Sequence, residues 1–364
     1  MFKNITAYKI NSPETKSLLS NKAICDSDAY YGEKVLQVVS DANPSLPPAK
    51  SQWRSLGFAT IPQFGNKTVF EGAMGAVVIC VRLQERILPS SIVNKVLADE
   101  IAKLSKRESR AVHRKEAAQL KDEVIAELLP KAFIRNKDIL VLIHGDWVLV
   151  DTGSAKTADD VVTWLSKAFH EPRLELDGDY SAGGLSLRPI IGAEVSKWLR
   201  SIALGETTTA EGEMLNSRFR HLDSVVLKSE GTVRIKDTSF DADEIQEMLI
   251  NCDSVAELSV AWGREKDSTE LQCAINDALA IKRLKFSDIL LKQAENDSKD
   301  EGEVAHFDAT VALVSSMLVA LVEDIALSTA PKDEPQDVAD RSEALKGFRI
   351  TNINRPKTQE DDEL

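Results

Sequence analysis

The residues best suited to chemistry in this chain are cations. In KLSKRESRAVHRKEAAQLK, residues 103–121, a helical advance of about 100° per residue puts Lys103, Arg107, Arg110, Arg114 and Lys121 on one face. Lys106 sits near the edge of that face, and Lys115 follows Arg114. Guanidinium and ammonium groups at such spacing neutralise successive phosphates, arginine through paired hydrogen bonds. No aromatic residue interrupts them, which points to a duplex backbone rather than to stacking on unpaired bases. A solvated helix face explains the same charges equally well. A smaller group, Lys282, Arg283, Lys285 and Lys292 around Leu284 and Phe286, is either a second phosphate contact or the polar side of a helix.

Other chemistry is less well served. Gly153, Lys156 and Thr157 follow a strand-like run, as in a phosphate-binding loop. Such a loop needs glycine directly before the lysine and again five residues earlier, and Ala155 and Val150 stand there instead. A capped helix after a strand is the simpler reading. His144, Asp146 and Asp151, and separately Asp177 and Asp179, are carboxylate-bearing groups of the kind that hold Mg²⁺ for phosphodiester cleavage. Neither has a lysine or further acid at a recognisable spacing, and Asp and Gly in HGD and DGD are equally the residues of turns. His113, His170, His221 and His306 are scattered and read as surface or capping residues. Cys25, Cys80, Cys252 and Cys273 form no CxxC pair, so neither a zinc site nor a disulfide framework is expected.

The elements that must position these groups follow from periodicity. Residues 2–10 read as a strand, and residues 69–83 as a hairpin turning near Gly72 and Gly75. After VVICVRL, Pro89, Ser90 and Ser91 make a helix start, and Val93, Val96, Leu97, Ile101 and Leu104 recur at helical spacing. Helix is expected through about Leu129, ended by Pro130. If it is continuous, the cationic face turns apolar at Val124, Ile125 and Leu128, docking one half and projecting the other. A break near Ser109 is the competing geometry. Residues 139–143 and 147–150 form a second hairpin around His144, Gly145 and Asp146. Thr157 and Asp160 then open a helix whose apolar face is Val161, Val162, Leu165 and Phe169. A helical stretch covers residues 194–202, and residues 311–327 form an apolar helix interrupted by Ser315, Ser316, Glu323 and Asp324. The fold class is α+β.

The chain has 364 residues and a net charge of −13, which excludes a uniformly basic DNA-coating protein and makes any nucleic-acid surface local. MFKNITAYKI lacks a basic region followed by an apolar one, and no uninterrupted apolar run of roughly 18 residues is present. A cytoplasmic address without membrane contact is therefore expected. Four regions are expected. Residues 1–88 are an N-terminal α+β region, 89–137 a helical region with the basic stripe, and 138–330 an α+β region ending in the apolar helix. Residues 331–364, rich in proline and charge, form a disordered tail. In that tail Lys346, Arg349, Arg355 and Lys357 precede the acidic Glu360, Asp361, Asp362 and Glu363, an arrangement suited to tuning DNA affinity.

Several ordered blocks carry a family likeness: FKNITAYKI, VVICVRLQERILPSSIVNKVL, LKDEVIAELLPKAF, VDTGSAKTADD and KRLKFSDIL. Spread from residue 2 to about residue 327, they resemble the RdgC family of bacterial recombination-associated proteins. The resemblance implies a multi-lobed, elongated α+β subunit that pairs head-to-head and tail-to-tail into a closed ring dimer. It also implies a basic inner surface that admits double-stranded DNA, a nucleoid-associated location, and antagonism of the RecA recombinase by occupying DNA. No cofactor and no catalytic residue are implied. Phe133 stands at the position of a family aromatic associated with subunit contact, its alternative being a core residue that caps the preceding helix. Lys236 keeps a basic residue in its loop, while Asp237 stands where a second is expected. Residues 43–52 look like an insertion, and the tail after Ala330 extends past the family's usual end. Two other classes compete with this reading: a Mg²⁺-dependent nuclease or NTPase, and an assembly protein without DNA contact.

Overall fold

The computed structural model describes residues 2–9, 44–61, 67–72, 75–145, 147–168, 192–205, 218–236, 240, 242–265, 268–290, 292 and 303–329. Its first sheet is antiparallel. Strands β1 (Thr6–Lys9), β2 (Arg54–Ala59), β3 (Val69–Glu71), β4 (Val77–Ile87), β5 (Phe133–His144) and β6 (Trp147–Val150) lie in the order β1-β6-β5-β4-β2, with β3 also on β4. The alternation of VVICVRL sends Val77, Ile79, Val81 and Leu83 to one face and Val78 and Cys80 to the other, each into a separate core. Both expected hairpins form, and Gly75 (φ +74°) and Gly145 (φ +56°) take the left-handed conformations their turns require. β5 starts well before its apolar run, because its pairing with β4 continues without a break from Val77↔Ile143 to Ile87↔Phe133.

Two helices fill the interval between β4 and β5. α1 (Ser90–Glu108) leaves directly from the end of β4, and α2 (Arg114–Leu128) returns through a 3-10 turn (Leu129–Lys131) to the start of β5. Because Ile87 and Phe133 are paired, both helices are anchored at the same end of the sheet. They therefore run out and back as a hairpin about 25 Å long, at 1.5 Å per residue. Its foot is locked by Arg86, a buried residue whose guanidinium donates to the carbonyls of Leu129 (3.0 Å), Pro130 (3.1 Å) and Pro48 (2.8 Å). A cation at the C-terminal carbonyls of α2 also suits the helix dipole. The fully buried residues of the hairpin, Val93, Val124 and Leu129, all lie toward the foot.

The helix is thus broken at Ser109, whose φ of +53° lies in the left-handed region. Of the two geometries left open by the sequence, the break is the one adopted. Local polar groups hold it: Ser105 Oγ donates to the carbonyl of Arg110 (2.8 Å), and Glu116 accepts the backbone N–H of His113 (3.0 Å), restarting the helix. Glu116 also receives a two-pronged contact from Arg110 (2.6 and 2.8 Å).

α3 (Ala155–Ala168) lays Ala158, Val161, Val162 and Leu165 on the β4–β5–β6 face of the second core. Its cap is Ser154, whose Oγ accepts the N–H of Thr157 at 3.4 Å. The expected cap at Thr157 is therefore displaced by one turn, and Asp160 instead faces Arg54 (3.5 Å). Tyr8 Oη donates to Asp159 (2.6 Å), tying α3 to the edge strand.

The second sheet is also antiparallel. β7 (Phe219–Lys228), β8 (Thr232–Lys236), β9 (Ser254–Trp262), β10 (Leu271–Asn276) and β11 (Ile281–Phe286) lie in the order β11-β10-β9-β7-β8, accompanied by α4 (Gly192–Ala203) and α5 (Asp243–Asn251). The N-terminal segment joins the sheets: Ile5 and Ile281 exchange backbone hydrogen bonds (2.7 and 2.9 Å), and Lys3 accepts the N–H of Leu284 (2.9 Å). Two antiparallel sheets with helices packed on them make the architecture α+β, as the sequence pattern indicates.

α6 (Glu303–Ser328) contributes Val311, Val314, Met317, Leu318, Leu321, Val322 and Ile325 to the core shared by both sheets. Contrary to the expectation from its interruptions, its segment Phe307–Ser328 is long and apolar enough to cross a bilayer by length and composition. Two of its acids are specifically engaged: Trp147 Nε1 donates to Glu323 (3.3 Å), and Trp262 Nε1 donates to Asp324 (2.9 Å). Asp324 is also held by Arg218 at 2.8 and 3.0 Å, and burial pushes its pKa up against the pull of that cation.

The α6 clamp and the hairpin turn can each be tested on their own. Asp324→Ala leaves the Trp262 N–H and Arg218 without their acceptor, and should cost about 2–3 kcal/mol in urea unfolding. Asp324→Asn, which keeps an oxygen acceptor of the same size for the Trp262 N–H, should cost less, about 1 kcal/mol. Equal losses for the two would contradict the clamp. At the hairpin turn, the Arg110 hydrogen bonds, followed by that of the His113 N–H, hold the Glu116 carboxyl down to about 2. A folded pKa below the unfolded value means that this carboxylate stabilises the turn above about pH 4.3, an effect that disappears as pH falls through about 2. NMR titration of the Glu116 carboxyl should give that low midpoint, and Arg110→Ala should return it toward the ordinary range.

Candidate nucleic-acid interface

The break at Ser109 changes what the cationic segment presents. A single stripe along one helix face does not form. Instead, the chain reverses within the segment, so that Lys103, Lys106 and Arg107 end α1, Arg110 lies in the connection, and Arg114 and Lys115 begin α2. Residues 103–116 thus bring six cations and two carboxylates together at the free end of the hairpin. All six cations are exposed. They are not equivalent: Lys103 pairs with Glu100 (2.7 Å), and Arg110 is taken up by Glu108 (2.6 Å) and Glu116. Arg107 has only a long contact to Glu108 (3.6 Å), and no acidic partner within bridging distance is found for Lys106, Arg114 or Lys115 among the described residues. Lys121 is exposed halfway along α2, apart from the tip.

The second cationic group lies on a strand, not on the polar side of a helix. Lys282, Arg283 and Lys285 belong to β11, and Lys292 is exposed beyond its end. The register with β10 slips here. Ala274 faces Lys282 and Gln272 faces Lys285, so Cys273 stands opposite both Arg283 and Leu284, as in a β-bulge. Arg283 occupies the bulge with φ +55°, a conformation costing a non-glycine residue about 1 kcal/mol. The Asn4 side chain accepts its N–H at 3.2 Å. The slip turns two successive side chains toward one acceptor: Lys282 Nζ lies 3.2 Å and Arg283 Nη2 2.7 Å from the two oxygens of Glu257 on β9. Pairs exposed on the cation side in this way contribute about 1 kcal/mol. Lys236, at the end of β8 on the opposite edge of this sheet, is exposed and distant in strand order from β11.

Phe133 is no core residue. It is 86 % exposed at the start of β5, opposite Ile87, which is also exposed. Ile134, Ile92 in the first turn of α1, and Trp53, whose carbonyl accepts the Arg86 N–H, are further exposed apolar groups at this end of the sheet. An apolar surface therefore surrounds the foot of the hairpin, while its tip is cationic.

The residues weighed for other chemistry are occupied otherwise. Asp151 accepts the backbone N–H groups of Lys3 and Asn4, both at 3.0 Å. His144 is half-buried, and burial lowers its pKa. Cys80, Cys252 and Cys273 are free and buried, and burial pushes the Cys80 and Cys273 thiols up to about 12. No group of three or more His, Cys, Asp or Glu side chains that could hold a metal ion occurs among the described residues. Cys25, Asp146, Phe169, His170, Asp177, Asp179, Asp237, the side chain of His306 and residues 331–364 lie outside them. The Arg283–Glu257 arrangement is not legible in the sequence, since a bulge is a mismatch between two strands and only the pairing exposes it.

Comparison with known proteins places this architecture. Residues 1–328 match the family model described as "Putative exonuclease, RdgC". Proteins named "Recombination-associated protein RdgC" are similar over most of their length. That of Aeromonas hydrophila is 32 % identical over 279 residues, covering 76 % of this chain and 84 % of the relative. That of Pseudomonas aeruginosa strain UCBPP-PA14 is 30 % identical over 346 residues (93 % and 99 %), and that of Pseudomonas entomophila 28 % over 349 residues (93 % and 99 %). The relatives carry a recombination name rather than an enzyme name, and with the family model spanning every described element up to the end of α6, the chain belongs to the RdgC family.

Proposed function

We propose that this chain binds double-stranded DNA through its phosphate backbone, without reading base sequence and without catalysing a reaction, and so modulates RecA-dependent homologous recombination in the nucleoid. The observation that carries this is the hairpin tip, an excess of four positive charges within 14 residues of a chain whose net charge is −13. Phosphate neutralisation needs exposed cations and little else, and it is indifferent to sequence. Lys106, Arg107, Arg114 and Lys115 are the primary contacts in this reading. Lys103, Arg110, Lys121, Lys236, Lys282, Arg283 and Lys285 extend the cationic surface. No cofactor takes part.

We further propose that two chains close into a ring around the duplex. The exposed apolar surface around Phe133 supports a homodimer, because it joins an aromatic anchor to Ile87 at the rigid end of the sheet, as central interface residues do. A hairpin anchored beside such a contact would carry its basic tip toward the DNA. The second reading, a Mg²⁺-dependent exonuclease, rests on the description of the family model alone.

Fluorescence anisotropy with unrelated duplexes over a salt series tests the tip. Lys106→Glu, Arg107→Glu and Arg114→Glu together should weaken all duplexes alike and flatten the slope of log K against log salt by about 0.9 for each phosphate no longer neutralised. Arg110 is left intact because it holds the turn. Affinities and slopes unchanged in the folded triple variant would reduce the tip to a solvated end. Shortening of a linear duplex on adding Mg²⁺ would move the reading to the exonuclease. For the ring, light scattering at micromolar concentration should give the mass of a dimer, and Phe133→Asp should shift it to that of a monomer. A monomeric wild-type chain that still binds duplex would end the ring model.

A further inference from the structure

The bulge on β11 presents a choice that stability does not explain. Glycine or asparagine would take the left-handed position of Arg283 with less strain, and the ion pair that arginine makes there, exposed on the arginine side, is of about the same size as the strain. Net folding energy alone therefore does not account for an arginine there. The arrangement itself indicates what. Arg283 is 54 % exposed while Glu257 is 15 % exposed, so the carboxylate lies at the floor and the guanidinium at the rim. The two oxygens of Glu257 take one cation each, from residues adjacent in sequence, as the two free oxygens of a phosphodiester would. Although burial pushes the Glu257 pKa up, the Lys282 hydrogen bond and the two cations outweigh it, and the group is ionised at neutral pH. Neighbouring charges leave the site to these three. Lys228 is engaged with Asp277 (2.7 Å), and the Lys282 stem passes close to Gly153.

We propose that Lys282 and Arg283 form a phosphodiester-binding site whose occupant in the free protein is Glu257, and that a duplex backbone binds there by displacing the carboxylate from the two cations. The bulge is what allows the exchange: it aims successive residues of one strand to the same side, where ordinary alternation would send them to opposite faces. Glu257 thereby prevents a cationic rim from binding small anions or single phosphates indiscriminately, and yields only to a polyanion held by contacts elsewhere. This inference rests on the duplex-binding reading above.

The test uses the full chain and a 30-base-pair duplex of arbitrary sequence, by anisotropy across a salt series. Glu257→Gln keeps the volume and removes the charge. It should tighten binding about 3- to 10-fold at low salt, an effect that screening erases toward 1 M, and steepen the salt slope by up to about 0.9, because no carboxylate is left to recapture a cation. Arg283→Gly should weaken binding while leaving the melting temperature unchanged or raised, and adding it to Glu257→Gln should abolish the gain. A folded Glu257→Gln chain that binds duplex no better than wild type overturns the proposal, with the tip reading intact. A wild-type chain that retains no duplex at low salt overturns both.

Discussion

The pairing of the last residue of β4 with the first of β5 is the constraint on which the rest depends. The ladder between these strands runs unbroken from Val77↔Ile143 to Ile87↔Phe133, so the 45 residues between Ile87 and Phe133 must leave and return at one point. Helices that start and finish side by side have one compact solution, an antiparallel hairpin, and the left-handed Ser109 provides its reversal. Arg86 converts that topological requirement into a rigid joint. Its guanidinium ties carbonyls of the 3-10 turn after α2 to that of Pro48 before β2. Foot and tip thus differ in kind, the first apolar and buried in part, the second solvated and cationic.

Charge is distributed with the same economy. A chain this acidic repels a polyanion at long range, and attraction is confined to places where the fold removes compensation. At the hairpin tip, Glu108 and Glu116 are consumed in fixing Arg110, which leaves the outer cations to solvent. On β11 a single glutamate serves two cations. On α6 two acids are turned inward, Glu323 to Trp147 and Asp324 to Trp262 and Arg218, and these contacts fasten the apolar helix to the sheets. Buried polar contacts of this type specify a position more than they add stability.

Much of the first sheet is readable because its signals are local. VVICVRL alternates, Gly75 and Gly145 mark turns, and Pro89 with two serines opens a helix; the structure has each of them in place. The helix after β6 is readable too, although its cap is Ser154 rather than Thr157: both residues are good caps three apart, and only the packing of Ala158 decides between them. The continuous cationic face fails for a related reason. At 100° per residue the segment matches one helix, and nothing in RESRAVH is a strong breaker. The turn is chosen by Glu116, which accepts from both His113 and Arg110, and by the tertiary demand that the chain come back. The exposure of Phe133 cannot be read from LLPKAF, since an aromatic after a helix is as well suited to a core as to a surface. The slip at Arg283 has no signature at all along KRLKF, because it exists only relative to Cys273 across the ladder.

The hairpin's anchorage has a mechanical meaning. An arm of about 25 Å whose fully buried residues all lie toward its foot acts as a lever. A rotation of roughly 10° about its foot would carry the tip through about 4 Å, so a small change in packing there is magnified where the cations are exposed. Repacking of the apolar surface at the foot would therefore re-aim the exposed cations at the tip.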